Sequence, residues 1–376
     1  MKIGIVLYPT YGGSGIVATE LGKELAKKGH EVHFITYSQP VRLDIYQSNI
    51  FYHEVAIFDY PLFDYQPYEL ALTSKLVDVT LHEKLDILHV HYAIPHASAA
   101  YFAQQILKSK GIEIPFITTL HGTDITLVGK DPSFEPVITF SINNSNAVTV
   151  VSESLKKDTY EHFDISNGIE VIPNFIRHSN YKKESESMSK RQDFAADNER
   201  IITHISNFRK VKRVDDVLFI FKKINSVIPS KLLLVGDGPE RLHLEQLCRD
   251  LDICSAVRMV GKVSNVSEIL CHSDLFILPS ETESFGLSAL EALASEVPVI
   301  STNSGGLPEV NKQGYSGYLS DVGDIDDMAT KAIEILEDDV TLAKFKKQAY
   351  MHSLNFSITA ILPKYEALYN QLIVKV

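Results

Sequence analysis

An acidic, glycine-containing segment in the second half of the chain has the clearest chemical potential. Glu283 precedes a predicted helix that opens at Gly286, and Glu291 lies about one and a half turns further on. Amide groups at a helix N-terminus bind anions such as a diphosphate. The two carboxylates can accept hydrogen bonds from sugar and ribose hydroxyl groups. The segment therefore predicts a nucleotide-sugar site, and the alternative is that Glu283 caps the helix while Glu291 forms an ion pair.

A basic turn, Arg209–Arg213, stands out in a chain whose net charge is −12. Four of its five residues are cations, and the turn follows a predicted strand. Arginine can hold phosphate through two parallel hydrogen bonds, and lysine acts as a point charge. We predict that the turn binds phosphate, and the alternative is a solvated surface turn.

A glycine turn, Gly12–Gly15, follows the first predicted strand. Glycines allow backbone amides to approach a phosphate at the start of the next helix. The stretch beginning at Gly13 also fits the GxGxxA dinucleotide fingerprint. That fingerprint requires an acidic residue at the end of the second strand, and Phe34–Ser38 contains none. A dehydrogenase is therefore disfavoured, while a diphosphate loop and a plain tight turn stay open.

His121 follows the predicted strand Phe116–Leu120 and is a candidate to donate a hydrogen bond to a sugar hydroxyl or to meet developing charge. The alternative is a histidine that only caps its own loop. Three more histidines lie upstream, at His89, His91 and His96, but no carboxylate stands beside them. We therefore predict no metal there.

A further glycine turn, Asn303–Glu309, enters another predicted helix. It can line the binding site or only change the direction of the chain. The residues alone leave both interpretations open.

These motifs must be positioned by α/β units, because short β-branched runs alternate with helical patterns in both halves of the chain. Strands are predicted at Lys2–Tyr8, Val32–Tyr37, Ile87–His91, Phe116–Leu120, Ala147–Val151 and Glu170–Pro173, and then at Ile201–Ser206, Lys231–Gly236, Val257–Gly261, Leu275–Pro279 and Pro298–Thr302. Open α/β sheets bind ligands at the carboxyl ends of their strands, which is where the motifs fall. The polar residues 180–200 are predicted to be a surface excursion near a domain boundary.

Composition narrows the class of protein. The 376 residues, 45% of them apolar, favour two packed domains. The negative net charge disfavours nucleic acid and anionic membranes as partners. Three cysteines without a CxxC pattern indicate a reduced, cytoplasmic compartment. The apolar start ends at Pro9, and no run reaches about 18 apolar residues, so neither a signal peptide nor a membrane span is predicted.

Taken together, the motifs resemble the retaining GT-B glycosyltransferases of family 4. The resemblance is carried by ETESFGLSALEALA, by the following PVISTNSGGLPEV, by VGDGPE at Val235–Glu240, and by the glycine turn, the basic turn and His121-Gly122-Thr123. It implies an α/β GT-B fold of two Rossmann-like, doubly wound domains facing a cleft. Residues 1–173 would form the acceptor-binding domain and residues 174–354 the nucleotide-sugar domain, with a C-terminal helix in 355–376 packing back on the first.

A narrower resemblance is to the branch of this family that glycosylates L-malate at the start of bacillithiol biosynthesis. It is carried by the chain start, HVHYAIPHA, LHGTDITLVG and ISNFRKVKRV. It implies retaining transfer of N-acetylglucosamine from UDP-N-acetylglucosamine to the hydroxyl group of L-malate, no metal requirement and a homo-oligomer. The alternatives are a family 4 enzyme with a lipid or polysaccharide acceptor, and a catalytically silent nucleotide-sugar-binding protein.

The resemblance also implies roles for individual residues. Those implied to bind the nucleotide sugar are Gly13, Arg209, Lys212, Glu283, Phe285, Gly286, Leu287 and Glu291. Those implied to take part in catalysis are His121, Glu283, Arg209 and Lys212. Those considered for the acceptor are Ser14, Tyr92, Thr123 and Arg258. Within these sets, Glu291 holds the ribose and His121 contacts the donor sugar near the reacting carbon.

Overall fold

The computed structural model describes residues 1–10, 12–43, 47–57, 66–127, 131–181 and 186–374. The chain forms two compact units, Met1–Phe175 with Ile358–Val376, and Ile176–Ser357. Each contains one parallel sheet flanked by helices, which confirms the prediction of two Rossmann-like domains. Tyr11 of the predicted glycine turn and residues 182–185 of the polar segment lie outside the described residues.

The first unit is built on a seven-stranded sheet in the order β3-β2-β1-β4-β5-β6-β7. Its strands are β1 Lys2–Val6, β2 Glu31–Thr36, β3 Ile50–Glu54, β4 Ile87–His91, β5 Phe116–Leu120, β6 Ala147–Val150 and β7 Ile169–Val171. The central strands β4 and β5 are buried along their whole length. This is expected of a parallel sheet covered by helices on both faces.

Five helices connect these strands: α1 Gly13–Lys27, α2 Tyr68–Glu83, α3 Ser98–Lys108, α4 Glu135–Asn143 and α5 Glu153–His162. Apolar residues of these helices pack toward the sheet, although α5 buries only Leu155 and Thr159. In α2, for example, Leu72, Leu76 and Val79 recur at helical spacing and are buried in the core. The loops that lead into α1, α3 and α4 therefore start at the carboxyl ends of β1, β4 and β5.

The second unit has a six-stranded sheet in the order β10-β9-β8-β11-β12-β13. The strands are β8 Arg200–Ser206, β9 Ser230–Gly236, β10 Val257–Gly261, β11 Leu275–Leu278, β12 Val299–Thr302 and β13 Gly317–Ser320. The helices are α6 Val214–Asn225, α7 Arg241–Asp250, α8 Ser267–Leu270, α9 Leu287–Ala294, α10 Leu307–Val310, α11 Ile325–Leu336 and α12 Asp339–Ser353. A core that includes Phe221, Ile277 and Ala332 joins the sheet to its helices.

The C-terminal helix α13, Ile358–Ile373, belongs to the first unit. Its Tyr365 and Tyr369 are fully buried, and the Tyr369 hydroxyl lies 2.7 Å from His89 Nδ1 in the central strand β4. Directly before β2, His30 Nε2 lies 3.2 Å from Glu366 Oε1. The helix is therefore anchored by aromatic burial and by hydrogen bonds to β4 and to the residue before β2.

The sequence analysis did not predict the strands β3 and β13, which are both edge strands. β3 reads Ile-Phe-Tyr-His-Glu and buries only its first residue, so it lacks the apolar run of a central strand. β13 begins with Gly317, whose Cβ would lie 1.8 Å from the Val299 carbonyl oxygen if it had one. Glycine at this position permits the close approach of β12, but it lacks the β-branched or apolar side chain by which a strand is predicted.

The polar segment near the unit boundary is more firmly held than a free surface excursion. Arg191 donates to the His272 carbonyl at 2.7 Å and pairs with Asp274 at 2.7 Å, and Ser187 donates to Glu268 at 2.7 Å. Ala195 is buried in a small apolar cluster on the second sheet. The described part of this segment is thus part of the second unit.

Among the described residues, none of the helices has the length and apolar character that crossing a membrane requires.

Candidate active site

The carboxyl ends of β8 and β9 pack closely enough that only glycine fits between them. Gly236 has φ +121°, and a Cβ there would lie 1.8 Å from the Ser206 carbonyl oxygen. A Cβ at Gly238 would lie 2.0 Å from the Asn207 carbonyl oxygen. The VGDGPE segment thereby supports the chain that leads into the basic turn.

The structure brings together Lys212 of the basic turn and Glu283 of the acidic segment, although they are 71 positions apart in the sequence. Lys212 Nζ lies 2.5 Å from Glu283 Oε1, and Ser280 Oγ donates to the same oxygen at 3.0 Å. Both charged side chains are mostly buried, at 20% and 14% exposure. The backbone joins the two segments as well, since Glu281 N donates to Val211 O at 2.8 Å. A predicted phosphate ligand and a predicted sugar ligand therefore share one site.

The other cations of the turn divide into two groups. Arg213 is engaged by Asp216 at 2.6 Å on the first turn of α6. Arg209 and Lys210 are exposed at the start of the short helical turn Lys210–Lys212. Lys212 is thus the cation of this turn that meets the acidic segment, while Arg209 and Lys210 are open to solvent.

Helix α9 begins where the acidic segment ends, with Gly286 at φ +94° as its N-cap. The amides of the following residues, beginning at Leu287, are those of the first turn and can bind an anion. Phe285 is buried and meets Phe356 edge to face, which fixes the entry into the helix. Glu291 is buried on α9 and accepts a 2.9 Å hydrogen bond from the Tyr181 hydroxyl. Sequence reasoning missed Tyr181, because it stands in the polar segment without a motif around it.

The glycine turn after β12 holds the acidic segment in place. Gly306 N donates to Glu283 O at 2.7 Å, and Ser304 Oγ donates to Glu281 O at 2.7 Å. Gly305 has φ +61°, and a Cβ there would lie 2.1 Å from the Glu283 carbonyl oxygen. The turn therefore supports the backbone of Glu281 and Glu283, a role that neither interpretation of the sequence named.

This packing makes Gly305→Ala a test of the support. We expect the variant to lose about 1–3 kcal/mol of unfolding free energy and to bind nucleotide more weakly, because the methyl group must displace the Glu283 carbonyl. Urea unfolding and calorimetric UDP binding measure both effects. Gly314→Ala is the matched control, since Gly314 has φ +66° with only the Tyr318 ring at 4.0 Å. Equal losses in both variants would show that backbone strain alone, and not the contact with Glu283, is responsible.

In the first unit, the glycine turn opens helix α1, with Gly12 as N-cap and Gly13 as first residue. Ser14 on that first turn lies 2.6 Å, Oγ to hydroxyl oxygen, from Tyr92, which follows β4. Gly15 packs against the end of β1, since a Cβ there would lie 2.5 Å from the Tyr8 carbonyl oxygen. The structure therefore joins two residues that the sequence placed in the acceptor set. Burial raises the pKa of Tyr92 to about 12, which keeps its hydroxyl protonated.

Asp124, which sequence analysis did not select, connects the loops after β4 and β5. Its carboxylate accepts from Ala93 N at 2.9 Å and from Gly122 N at 3.1 Å, and it is buried. Burial raises the pKa of Asp124, and the hydrogen bonds from backbone amides oppose that shift. The neighbouring Thr123 is exposed at the same loop. Asp124 thus fixes the backbone on which His121 and Thr123 stand.

His121 is half-buried and adjoins a cluster of three buried histidines, His89, His91 and His96. Its Nε2 lies 2.8 Å from His91 Nδ1, His91 stacks on His89 with ring centroids 4.5 Å apart, and the His96 ring lies against Tyr8. Burial lowers the pKa of His89 to about 3, of His96 to about 4 and of His121 to about 3, and it lowers the pKa of His91 well below its usual value. At neutral pH His121 is therefore an uncharged imidazole that can donate or accept a hydrogen bond but brings no positive charge.

Arg258, considered for the acceptor, lies elsewhere. It is the second residue of the edge strand β10, where its guanidinium donates to the Asp193 carbonyl at 2.9 Å and lies over the Phe194 ring. The predicted nucleotide ligands of the same unit stand at the carboxyl ends of β8 and β11. The structure therefore gives Arg258 a role in holding the polar segment and does not support its assignment to the acceptor.

Comparison with known proteins follows the same two-unit division. A family model described as Glycosyltransferase Family 4 matches residues 11–180, and one described as Glycosyl transferases group 1 matches residues 186–352. The chain is 50% identical over 339 residues to the N-acetyl-alpha-D-glucosaminyl L-malate synthase of Bacillus anthracis, covering 90% of this chain and 88% of that protein.

Solved structures extend the likeness at low identity. Sucrose-phosphate synthase from Thermosynechococcus elongatus superposes with a TM-score of 0.82 at 20% identity, covering 100% of both chains. Anabaena HepE in complex with UDP and glucose superposes with a TM-score of 0.81 at 19% identity, covering 98% of this chain and 99% of that one. At these identities the likeness establishes the fold.

Proposed function

The chain belongs to glycosyltransferase family 4, and we propose that it transfers N-acetylglucosamine from UDP-N-acetylglucosamine to the hydroxyl group of L-malate. The observation that carries the proposal is the 50% identity to the Bacillus anthracis synthase over 90% of the chain. In this role the protein catalyses the first step of bacillithiol biosynthesis. The ligand groups gathered at Lys212 and Glu283 support the donor half of the reaction.

On this proposal the second unit holds the donor. Arg209, Lys212 and the first amides of α9 bind the diphosphate, since they combine positive charge with a helix N-terminus. Glu291 binds the ribose hydroxyls, and its hydrogen bond with Tyr181 orients the carboxylate for that purpose. Glu283 binds the sugar hydroxyls, with Ser280 and Lys212 fixing its rotamer.

The chemical step that we propose retains the anomeric configuration. The bond between the anomeric carbon and the β-phosphate oxygen breaks, and the malate hydroxyl oxygen bonds to that carbon on the same face. The hydroxyl proton passes to the leaving phosphate. Negative charge develops on that phosphate, which is where Arg209, Lys212 and the helix amides stabilise the transition state most. Neutral His121 contributes a hydrogen bond to the donor sugar.

The decisive assay measures UDP release from UDP-N-acetylglucosamine with L-malate and, as a matched control, with succinate, which has both carboxylates but no hydroxyl group. Release with L-malate and none with succinate is the expected result. Malate-independent release, or release only with a lipid or polysaccharide acceptor, would overturn the acceptor while leaving the family intact.

For the acceptor, we propose that Ser14, Tyr92 and Thr123 of the first unit bind malate. The hydrogen bond between Ser14 and Tyr92 holds both hydroxyls at one place and supports this assignment. Ser14→Ala and Tyr92→Phe are each expected to raise the KM for L-malate about tenfold, the cost of one hydrogen bond. Steady-state kinetics measure the change, with Tyr101→Phe in α3 as control, because the Tyr101 ring contacts Phe102 and Phe140 instead. An unchanged KM in both variants would remove these residues from the acceptor site.

Three further properties belong to the proposal. The transfer chemistry needs no metal, so kcat is expected to be the same with and without EDTA. The protein forms a homo-oligomer, which sedimentation analysis tests. Its location is the cytoplasm, in keeping with the nature of both substrates.

A further inference from the structure

Two histidines and a glutamate meet at the edge of the first sheet, outside the site described above. They are His33 on β2, His53 on the edge strand β3 and Glu83, the last residue of α2. One possible metal-ligating atom from each lies within 4.8 Å of the other two. Among the described residues this is the one group of three or more histidine, cysteine or acidic side chains that meets this distance condition.

The parallel register explains why the histidines meet. His33 pairs with Phe51 and Ile35 pairs with His53, so the two histidines lie on adjacent strands two residues apart in register and share one face of the sheet. Helix α2 packs on the core beneath this edge, and its C-terminal turn carries Glu83 to that face. His33 is fully buried, while His53 and Glu83 are partly exposed, which leaves a route for an ion from solvent.

The hydrogen bonds of His33 direct one lone pair toward its neighbours. His33 Nε2 lies 3.1 Å from Glu31 Oε1, and Glu31 is itself held by Lys2 at 2.7 Å. A carboxylate can only accept, so Nε2 carries the proton and donates it. The lone pair of His33 Nδ1 then points at His53 Nε2, 2.8 Å away. A carboxylate behind the distal nitrogen is the arrangement that orients metal-binding histidines.

We propose that His33 Nδ1, His53 Nε2 and the Glu83 carboxylate bind one zinc ion, with water as fourth ligand. Two histidines and a carboxylate form a donor set that suits Zn²⁺, which favours tetrahedral nitrogen and oxygen ligands. Bonds of about 2.0–2.1 Å at a tetrahedral angle separate two nitrogens by about 3.3 Å. The ring centroids are 5.1 Å apart with nearly parallel planes, so the two nitrogens face each other almost in line. Zinc binding therefore requires the nitrogens to move apart by about half an ångström and each imidazole to tilt by roughly 35°, so that both lone pairs converge on the ion.

This zinc site lies away from the loops of the candidate active site, so we assign it a structural role rather than a catalytic one. Helix α2 runs back along the sheet, so its last residue lies near the start of β4, whereas the site loops follow the carboxyl ends of β1, β4 and β5. The ion ties the edge strand β3 to β2 and to α2, an edge otherwise held by a single neighbouring strand. We expect bound zinc to raise the unfolding midpoint and to leave kcat unchanged.

The test is zinc titration of chelator-stripped protein against a chromophoric competitor, followed by cobalt substitution. The wild type is expected to bind one equivalent per chain and to give the intense visible bands of four-coordinate Co²⁺. His53→Gln and Glu83→Gln are expected to lose this binding, and Glu31→Gln to weaken it about 10- to 100-fold. His82→Gln is the matched control, because His82 is exposed next to Glu83 and bonds the Asp78 carbonyl instead.

Thermal unfolding separates this proposal from a plain hydrogen bond between the two histidines. Zinc is expected to raise the unfolding midpoint of wild type and His82→Gln, and not that of His53→Gln, with circular dichroism confirming that each variant is folded. No stoichiometric binding to folded wild type would overturn the proposal, and so would equal affinity in His53→Gln. These readouts do not involve catalysis, so the outcome is independent of the proposed transferase reaction.

Discussion

Replacing Lys212 by alanine is expected to lower kcat about 10²- to 10³-fold, the scale seen when one group that stabilises developing charge is removed. Lys212 is mostly buried and lies 2.5 Å from Glu283 Oε1, so its position is fixed before any substrate arrives. A fixed cation at the leaving phosphate requires little reorganisation in the transition state. The variant also leaves Glu283 without its cation, which should further weaken UDP binding.

Two measurements separate these effects. UDP-release kinetics give kcat, and calorimetry gives UDP affinity without reference to the acceptor. Lys210→Ala is the matched control, since it removes the same charge from an exposed position of the same turn. A similar loss in both variants would mean that the turn acts only through its overall charge. Wild-type kcat and UDP affinity in Lys212→Ala would remove Lys212 from the site.

The sequence predicted most of the architecture because buried parallel strands leave a strong pattern. Strands β4, β5 and β10 match their predicted bounds, and most of the others differ by only one or two residues at an end. Helix ends and strand ends have weaker patterns. Edge strands such as β3 bury few residues, so their composition resembles that of a loop.

The candidate site was predictable where chemistry coincides with a strand end. The motifs around Lys212 and Glu283 follow β8 and β11, neighbouring strands of one parallel sheet, so their proximity follows from topology. Asp124 and Tyr181 could not be found in this way. Each acts through a contact that depends on the folded loop, Asp124 with Ala93 N and Tyr181 with Glu291. Arg258 lies near the start of its strand, as the second residue of β10, where it contacts the polar segment.

The first unit is expected to lose stability steeply below about pH 6.5, because it buries histidines in their neutral form. Burial lowers the pKa of His89 and His121 to about 3 and that of His96 to about 4, and it lowers the pKa of His91 as well. In the unfolded chain these groups titrate near pH 6.5. Between pH 6.5 and the folded values, the unfolded state therefore binds more protons, and the unfolding free energy falls as the pH falls.

The size of this effect follows from the number of protons. Each proton that the unfolded chain binds and the folded chain does not changes the unfolding free energy by about 1.4 kcal/mol per pH unit. Four such histidines lower the unfolding free energy by about 5 kcal/mol between pH 6 and pH 5. That is comparable to the whole stability of many domains. Urea unfolding followed by circular dichroism at pH 7, 6 and 5 measures the slope, and hydrogen exchange of peptides from residues 85–125 assigns it to the first unit.

His121→Asn provides the internal check on this prediction. It removes one titrating group from the cluster and keeps a polar side chain beside His91, so the slope should fall by about 1.4 kcal/mol per pH unit. His162→Asn, at the exposed end of α5, is the matched control and should leave the slope unchanged. A stability that is flat between pH 7 and pH 5 would mean that the cluster takes up protons without unfolding. His121 would then be charged at mildly acidic pH, and its role as a neutral hydrogen-bonding group at the sugar would not hold there.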